Sequence, residues 1–163
     1  MQRIAQFEKV SRAQFSAAVP DAPDTLYDNI RLPKRATAGS AGYDFYVPFS
    51  FTLKAGESIT VPTGIRARMQ PGWVLMLFPR SGLGFRYRLQ LNNTVGVVDS
   101  DYYASDNEGH IFIKLTNDSR EGKTLTVQQG EGFAQGIFLP FGVTEDDETD
   151  AVRNGGFGST NKG

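Results

Sequence analysis

Between Leu26 and about Phe141 almost no stretch of the chain keeps the apolar spacing of an amphipathic helix. Short alternating or wholly apolar runs, broken by glycine and proline, take its place. The runs are Tyr43–Val47, Phe49–Leu53, Ser58–Ile65, Val74–Phe78, Arg88–Asn93, Gly96–Val98, His110–Asn117, Leu125–Val127 and Gly132–Leu139. Turn formers separate them at Ala55-Gly56, Pro71-Gly72, Asp106-Asn107-Glu108-Gly109, Arg120-Glu121-Gly122 and Gln129-Gly130. This spacing predicts an all-β domain, a barrel or jelly roll of short strands. With 163 residues, one such domain can bury roughly 68–70% of its unfolded surface and needs no disulfide or structural metal.

The two ends differ from this middle. Residues 1–19 carry Ile4, Phe7, Val10, Phe15 and Val19 with charges between them, which reads as a short helix closed by Pro20 and Pro23. After residue 143 an acidic linker, Thr144–Asp150, leads into Asn-Gly-Gly-Phe-Gly-Ser-Thr-Asn-Lys-Gly, with four glycines in ten residues. Such an end is either disordered or a mobile arm that closes over a ligand, with Phe157 stacking and backbone N–H groups meeting an anion. The expected organisation is an extension (1–25), a β-barrel domain (26–143) and an acidic linker with a C-terminal arm (144–163).

The chain has no cysteine, which removes thiol nucleophiles, disulfides and thiolate metal sites. His110 is the sole imidazole, so a His-rich metal site is excluded and a Ser-His-Asp triad would have to use that residue. No acid stands at a spacing that suggests one, and His110 reads as a strand-edge residue; Trp73 reads as core or interface. Catalysis falls to carboxylates, Arg, Ser and backbone. A net charge of −1 argues against nonspecific nucleic-acid binding. No apolar run approaches the ~20 residues that span a bilayer, and Met-Gln-Arg-Ile lacks a signal peptide's apolar stretch. The expectation is a cytoplasmic protein without membrane or nucleic-acid partners.

Four further stretches could carry chemistry. In Phe78-Pro79-Arg80-Ser81-Gly82-Leu83-Gly84, Arg offers a forked donor, Ser a hydroxyl, and the glycines let backbone N–H approach a phosphate; the stretch lacks a Walker ending and is otherwise an ordinary turn. In Gly96-Val97-Val98-Asp99-Ser100-Asp101-Tyr102 two acids follow an apolar run at i, i+2, which on an extended strand puts them on one face. Asp99 could be tuned there as a base, or end a strand in a solvated turn. Asp44 lies between two aromatics and needs a partner: an Arg, a turn or a metal-bound water. Gln135, after an apolar pair, reads as a buried, hydrogen-bonded amide.

Taken in order, these pieces resemble the five motifs of the trimeric deoxyuridine triphosphatase (dUTPase) family. They are Ala41-Gly42-Tyr43-Asp44-Phe45, Pro79-Arg80-Ser81-Gly82-Leu83-Gly84, Gly96-Val97-Val98-Asp99-Ser100-Asp101-Tyr102, Gly130-Glu131-Gly132-Phe133-Ala134-Gln135 and Gly155-Gly156-Phe157-Gly158-Ser159-Thr160. The likeness spans residues 26–160. It implies a jelly-roll-like distorted β-barrel, a homotrimer with shared active sites, and Mg²⁺-dependent hydrolysis of dUTP to dUMP and pyrophosphate, limiting uracil in DNA and supplying dUMP for dTTP synthesis. By the same resemblance Asp99 is the base that activates the attacking water, and Tyr102 packs on deoxyribose and leaves no room for a 2′-hydroxyl. Asn93, Val97 and Val98 read uracil through backbone and side chain, with Phe112 as their hairpin partner. Arg80, Ser81 and Gly82 cradle phosphate with Gln135 nearby, and Asp44 contributes to the Mg²⁺ site through water. Phe157 stacks on uracil while Arg153, Gly158, Ser159 and Thr160 reach the phosphates.

The chain departs from the pattern in three places. The connection from Tyr102 to Gly109 is several residues longer than usual, leaving the register of Phe112 open. Gly132 stands where the family commonly has Arg, and Arg153 lies one residue closer to Gly-Gly-Phe. A dCTP deaminase-type enzyme, or a non-catalytic nucleotide-binding regulator of the same fold, are the alternatives.

Overall fold

The computed structural model describes residues 2–151 and 153. In chain order its elements are strand β1 (Ala5–Lys9), helices α1 (Arg12–Ala18) and α2 (Asp24–Asp28), β2 (Lys34–Arg35), β3 (Tyr43–Tyr46), β4 (Phe51–Leu53), β5 (Ser58–Pro62), β6 (Ile65–Met69), β7 (Trp73–Pro79), helix α3 (Ser81–Tyr87), β8 (Leu89–Leu91), β9 (Gly96–Val98), a 3-10 turn (Ser100–Ala104), β10 (Phe112–Asn117), β11 (Leu125–Val127) and β12 (Gly132–Pro140). The strands form a five-stranded sheet β2-β3-β12-β7-β9, a three-stranded sheet β5-β10-β8, and the pairs β1-β6 and β4-β11, with every neighbour antiparallel. Alternate residues supply one shared core: Phe45 on β3, Leu75 and Leu77 on β7, Ile113 and Leu115 on β10, and Phe133 on β12 are all buried. This is the expected all-β, jelly-roll-like architecture.

Several local expectations change. The helix expected over residues 1–19 is confined to Arg12–Ala18, and Ala5–Lys9 is a strand paired with Ile65–Met69. Cross-strand partners outweigh the local three-residue spacing. Phe7 enters a ring cluster with Tyr43, Phe45 and Phe138 at 5.3–5.5 Å, while Glu8 and Gln6 meet Arg66 and Arg68 across the pair. Ser11 then caps α1 by accepting from the Gln14 N–H. The run Ser58–Ile65 is likewise two strands, because the chain turns at Thr63-Gly64, where the Thr63 hydroxyl donates to the Ile111 carbonyl.

His110 is not a strand-edge residue: it is completely buried. Its Nε2 accepts the Gly64 N–H at 2.9 Å, so Nδ1 carries the proton, and that atom has no partner among the described residues. Burial holds its pKa at about 4, despite the opposing pull of Glu108. Below the unfolded value near 6.5 the unfolded chain therefore binds a proton that the folded chain refuses. Stability should fall as pH drops from about 6.5, by about 3 kcal/mol once pH 4 is reached. Denaturant midpoints across that range should show the loss, and His110→Gln should flatten it; an equally steep decline in the variant would assign the acid sensitivity elsewhere.

Candidate active site

Asp99 and Asp101 do not share a strand face. β9 ends at Val98; Asp99 precedes the 3-10 turn and Asp101 lies in its first turn. The turn nevertheless brings both acids to one cation. Arg153 donates from Nη2 to Asp99 Oδ2 at 2.5 Å and from Nε to Asp101 Oδ1 at 3.0 Å. The guanidinium is mostly shielded, whereas both carboxylates remain about half exposed. Arg153 also sits 5.8 Å from the centre of the Tyr102 ring. The other arm residues proposed from the sequence, Phe157, Gly158, Ser159 and Thr160, lie outside the described residues.

Tyr102 is buried, with its hydroxyl donating to the His110 carbonyl at 2.7 Å and accepting from Asn107 Nδ2 at 2.8 Å. Burial raises the phenol pKa, with Asn107 and Arg153 pulling the other way. Asn93 is exposed in the loop between β8 and β9, and its carbonyl accepts the Val95 N–H. Val97 is exposed and Val98 buried. The long connection after Tyr102 is absorbed before β10. Phe112 opens that strand, opposite Pro62, and the Asn92 N–H donates to the Lys114 carbonyl, extending the β10–β8 pairing toward the Asn93 loop.

The phosphate-type residues gather elsewhere. Gln135 on β12 stands opposite Asp44 on β3 and opposite Phe78 on β7, and a bulge between Gly132 and Ala134 frees the Phe133 carbonyl to accept the Arg80 N–H. Gln135 Oε1 fills the space beside Gly42, 2.7 Å from where a Cβ would be. Arg80 Nη1 reaches the Gly132 carbonyl at 3.4 Å and lies 3.3 Å from a Cβ position there, so the glycine of the fourth motif is the floor on which Arg80 rests. Ser81-Gly82 is not an open glycine loop but the first turn of α3, and both residues are exposed.

These two groups occupy opposite ends of β7. Val98 pairs with Leu75 and Ala134 with Pro79, so Asp99 and Arg80 are separated by about six strand residues, roughly 20 Å along the sheet. Phe85, Phe141 and Val143 meanwhile lie exposed on the surface of the chain. Sequence reasoning missed the groups that hold the third motif: Ser105, Asn107 and Glu108, together with Glu8 and Ser11 in the extension. Asn107 and Glu108 carry a signal in the sequence, but only as turn formers, while Glu8 and Ser11 fall in the stretch whose spacing suggests a helix.

The family model for dUTPase matches residues 28–163. The deoxyuridine 5′-triphosphate nucleotidohydrolase of Lactococcus lactis is 43% identical over 141 residues, covering 83% of this chain and 93% of its own. The crystal structure of the Streptococcus mutans dUTPase, 40% identical, superposes with a TM-score of 0.66 over 85% of this chain and 98% of its own. A mutant dUTPase from phage phi11 of Staphylococcus aureus, whose structure details the coordination of a structural Mg(II) ion, shares the fold at 19% identity and TM-score 0.66, over 91% of this chain and 98% of its own. With ordered motifs, a jelly-roll-like barrel and relatives agreeing along most of its length, the chain belongs to the dUTPase family and is a dUTP diphosphatase.

Proposed function

We propose that the chain works as a homotrimer whose active sites each draw on more than one subunit, converting dUTP to dUMP and pyrophosphate. The observation that carries this reading is the separation within one chain: the carboxylate pair of the third motif and the Arg80–Gln135–Asp44 group sit at opposite ends of β7. One triphosphate cannot bridge them, and the exposed Phe85, Phe141 and Val143 provide apolar surface for self-association.

In this mechanism Asp99 takes a proton from water as its oxygen attacks the α-phosphorus. The bond to the bridging oxygen of the β-phosphate breaks, and pyrophosphate leaves. Arg153 bonds Asp99, and a triphosphate would offer the same guanidinium a denser acceptor, leaving the carboxylate to act on water. Arg80, Ser81, Gly82 and Gln135 hold phosphate oxygens, Tyr102 packs on the sugar, and Asn93 with the Val97–Val98 backbone and Phe112 read uracil. Residues 154–163 close over the nucleotide, with Phe157 on the base and Gly158, Ser159 and Thr160 at the phosphates.

Asp44 fits Mg²⁺ chemistry of a particular kind. It is a half-buried carboxylate with Gln135 opposite it on one neighbouring strand and Lys34 on the other, and among the described residues no three His, Cys, Asp or Glu converge on one point. A lone carboxylate suits a small hard ion that keeps its waters and takes its other oxygens from triphosphate. When bound, Mg²⁺ supplies charge neutralisation for the phosphates. Acting on a free nucleotide, the enzyme belongs in the cytoplasm, where it limits uracil in DNA and supplies dUMP for dTTP synthesis. No described helix is long and apolar enough to cross a membrane.

Pyrophosphate release with Mg²⁺ should be fast for dUTP and at least about 100-fold slower for dCTP, whose base edge leaves donors and acceptors unmatched, for dTTP, whose 5-methyl group a tight backbone hairpin excludes, and for UTP, whose 2′-hydroxyl meets the Tyr102 ring. Ammonia release from dCTP would indicate deaminase chemistry, and binding of dUTP without turnover would indicate a regulator.

A further inference from the structure

The segment 103–109, longer than the family's usual connection, and the N-terminal extension hold one another. The Tyr103 hydroxyl donates to Glu8 Oε2 at 2.8 Å, and Arg66 bonds that same oxygen at 3.1 Å while its guanidinium lies 4.4 Å from the Tyr103 ring centre. The Tyr103 bond is the main cause holding the Glu8 carboxyl below its ordinary range. Glu108 accepts from Ser11 twice, from the backbone N–H at 2.7 Å and from the hydroxyl at 2.6 Å. The extension is itself fixed by the β1–β6 ladder. Two features outside the shared motifs therefore form one rigid support.

What the support presents is Asn107. Its Oδ1 accepts from the Gly109 N–H at 3.2 Å and lies 3.0 Å from the Ser105 hydroxyl, which also meets the Tyr102 carbonyl at 2.6 Å. Those contacts aim Nδ2 at the Tyr102 hydroxyl, 2.8 Å away. The hydroxyl's own proton goes to the carbonyl of His110, a residue anchored in the core through Gly64. A phenolic oxygen that donates in one direction and accepts in another is fixed in the plane of its ring. With Asn107 removed, the phenolic oxygen loses the bond that opposes the one to His110, and the ring is held less firmly.

We propose that Asn107 is a positioning residue for Tyr102, acting through the phenolic hydroxyl, and that the N-terminal extension thereby sets how strictly the enzyme refuses a 2′-hydroxyl. This rests on the reading that the Tyr102 ring faces the sugar. Excluding a single oxygen atom requires the ring to be held within about 0.5 Å, which is the tolerance that two opposed hydrogen bonds provide and one does not.

The test is the ratio of kcat/KM for dUTP to that for UTP, measured with thermal stability on the intact protein. Asn107→Ala should narrow the ratio about tenfold, since a ring misplaced by ångström fractions loses discrimination of that order. Asn107→Asp keeps both acceptor contacts of the turn but faces Tyr102 with an acceptor; it should narrow the ratio similarly while melting near the parent, and it carries the test should the alanine variant fold poorly. In a Tyr102→Phe background either change should alter the ratio less than about twofold, because the atom through which Asn107 acts is gone. Lower melting temperatures with an unchanged ratio would make Asn107 purely structural and overturn the proposal. Tyr102→Ala separates the layers. If it narrows the ratio while the Asn107 variants do not, positioning by Asn107 is refuted. If Tyr102→Ala also leaves the ratio intact, the sugar-facing role of Tyr102 falls, and the proposal with it.

Discussion

Asp99→Asn should give a folded protein that binds dUTP but releases pyrophosphate about 10²–10⁴-fold more slowly, the range by which a positioned general base accelerates proton transfer. The amide occupies the same volume and its oxygen still accepts from Arg153, so the clasp that joins residues 99, 101 and 153 weakens without disappearing. What is lost is proton affinity, and the deficit should appear in kcat with KM nearly unchanged. Binding can be read with a dUTP analogue carrying an imido bridge between the α- and β-phosphates. Turnover within about threefold of the parent would remove Asp99 from the base role and leave Asp101, the other acid on Arg153, as the residue to examine.

The second large effect concerns a turn. Gly109 has φ +70°, and a Cβ there would lie 2.7 Å from Tyr103 Cα and 2.8 Å from the Tyr102 carbonyl oxygen. Both are backbone atoms that cannot swing aside as a side-chain tip would. Left-handed backbone costs alanine roughly 1–2 kcal/mol, and displacing the chain brings the expected loss to about 3 kcal/mol. For a domain of this size that lowers the melting temperature by about 6–12 °C. Gly56, at φ +86° with nothing within 4 Å of a Cβ, supplies the comparison: alanine there should cost only the backbone strain. Equal losses at the two positions would show that Gly109 is not tightly enclosed.

The strand-rich middle was legible because its runs alternate and turn formers bound them. Leu125–Val127 and Gly96–Val98 appear as read, and β7 and β12 extend only a residue or two beyond expectation. Misreadings arose where a distant segment decides the outcome. Phe7 and Val10 have a helical neighbour spacing, but β6 offers Ala5–Lys9 a ladder, which no local pattern reveals. Ser81–Tyr87 contains two glycines and still forms α3 after Arg80. His110 looked like an edge residue because its burial depends in part on Phe15, 95 residues earlier in the chain. At the site, motif order picks out the residues proposed for each role, yet spacing could not show that Asp99 and Asp101 would meet on a shared guanidinium, or that Arg80 would lie at the far end of the same strand. Those are consequences of sheet order, which couples residues across tens of positions.

The first strand has a consequence for how the protein is made. Ala5–Lys9 is synthesised well before its ladder partner Ile65–Met69, and Ser11 waits for Glu108, 97 residues later. An amino terminus whose partners are so remote cannot settle locally. It cannot make its native ladder or bury Phe7 and Val10 in their final places until β6 is available, and non-local closures of this kind are slow. Folding should therefore end with the amino terminus sealing β6 and the 103–109 turn together, so that the support beneath Tyr102 is among the last parts of the molecule to form.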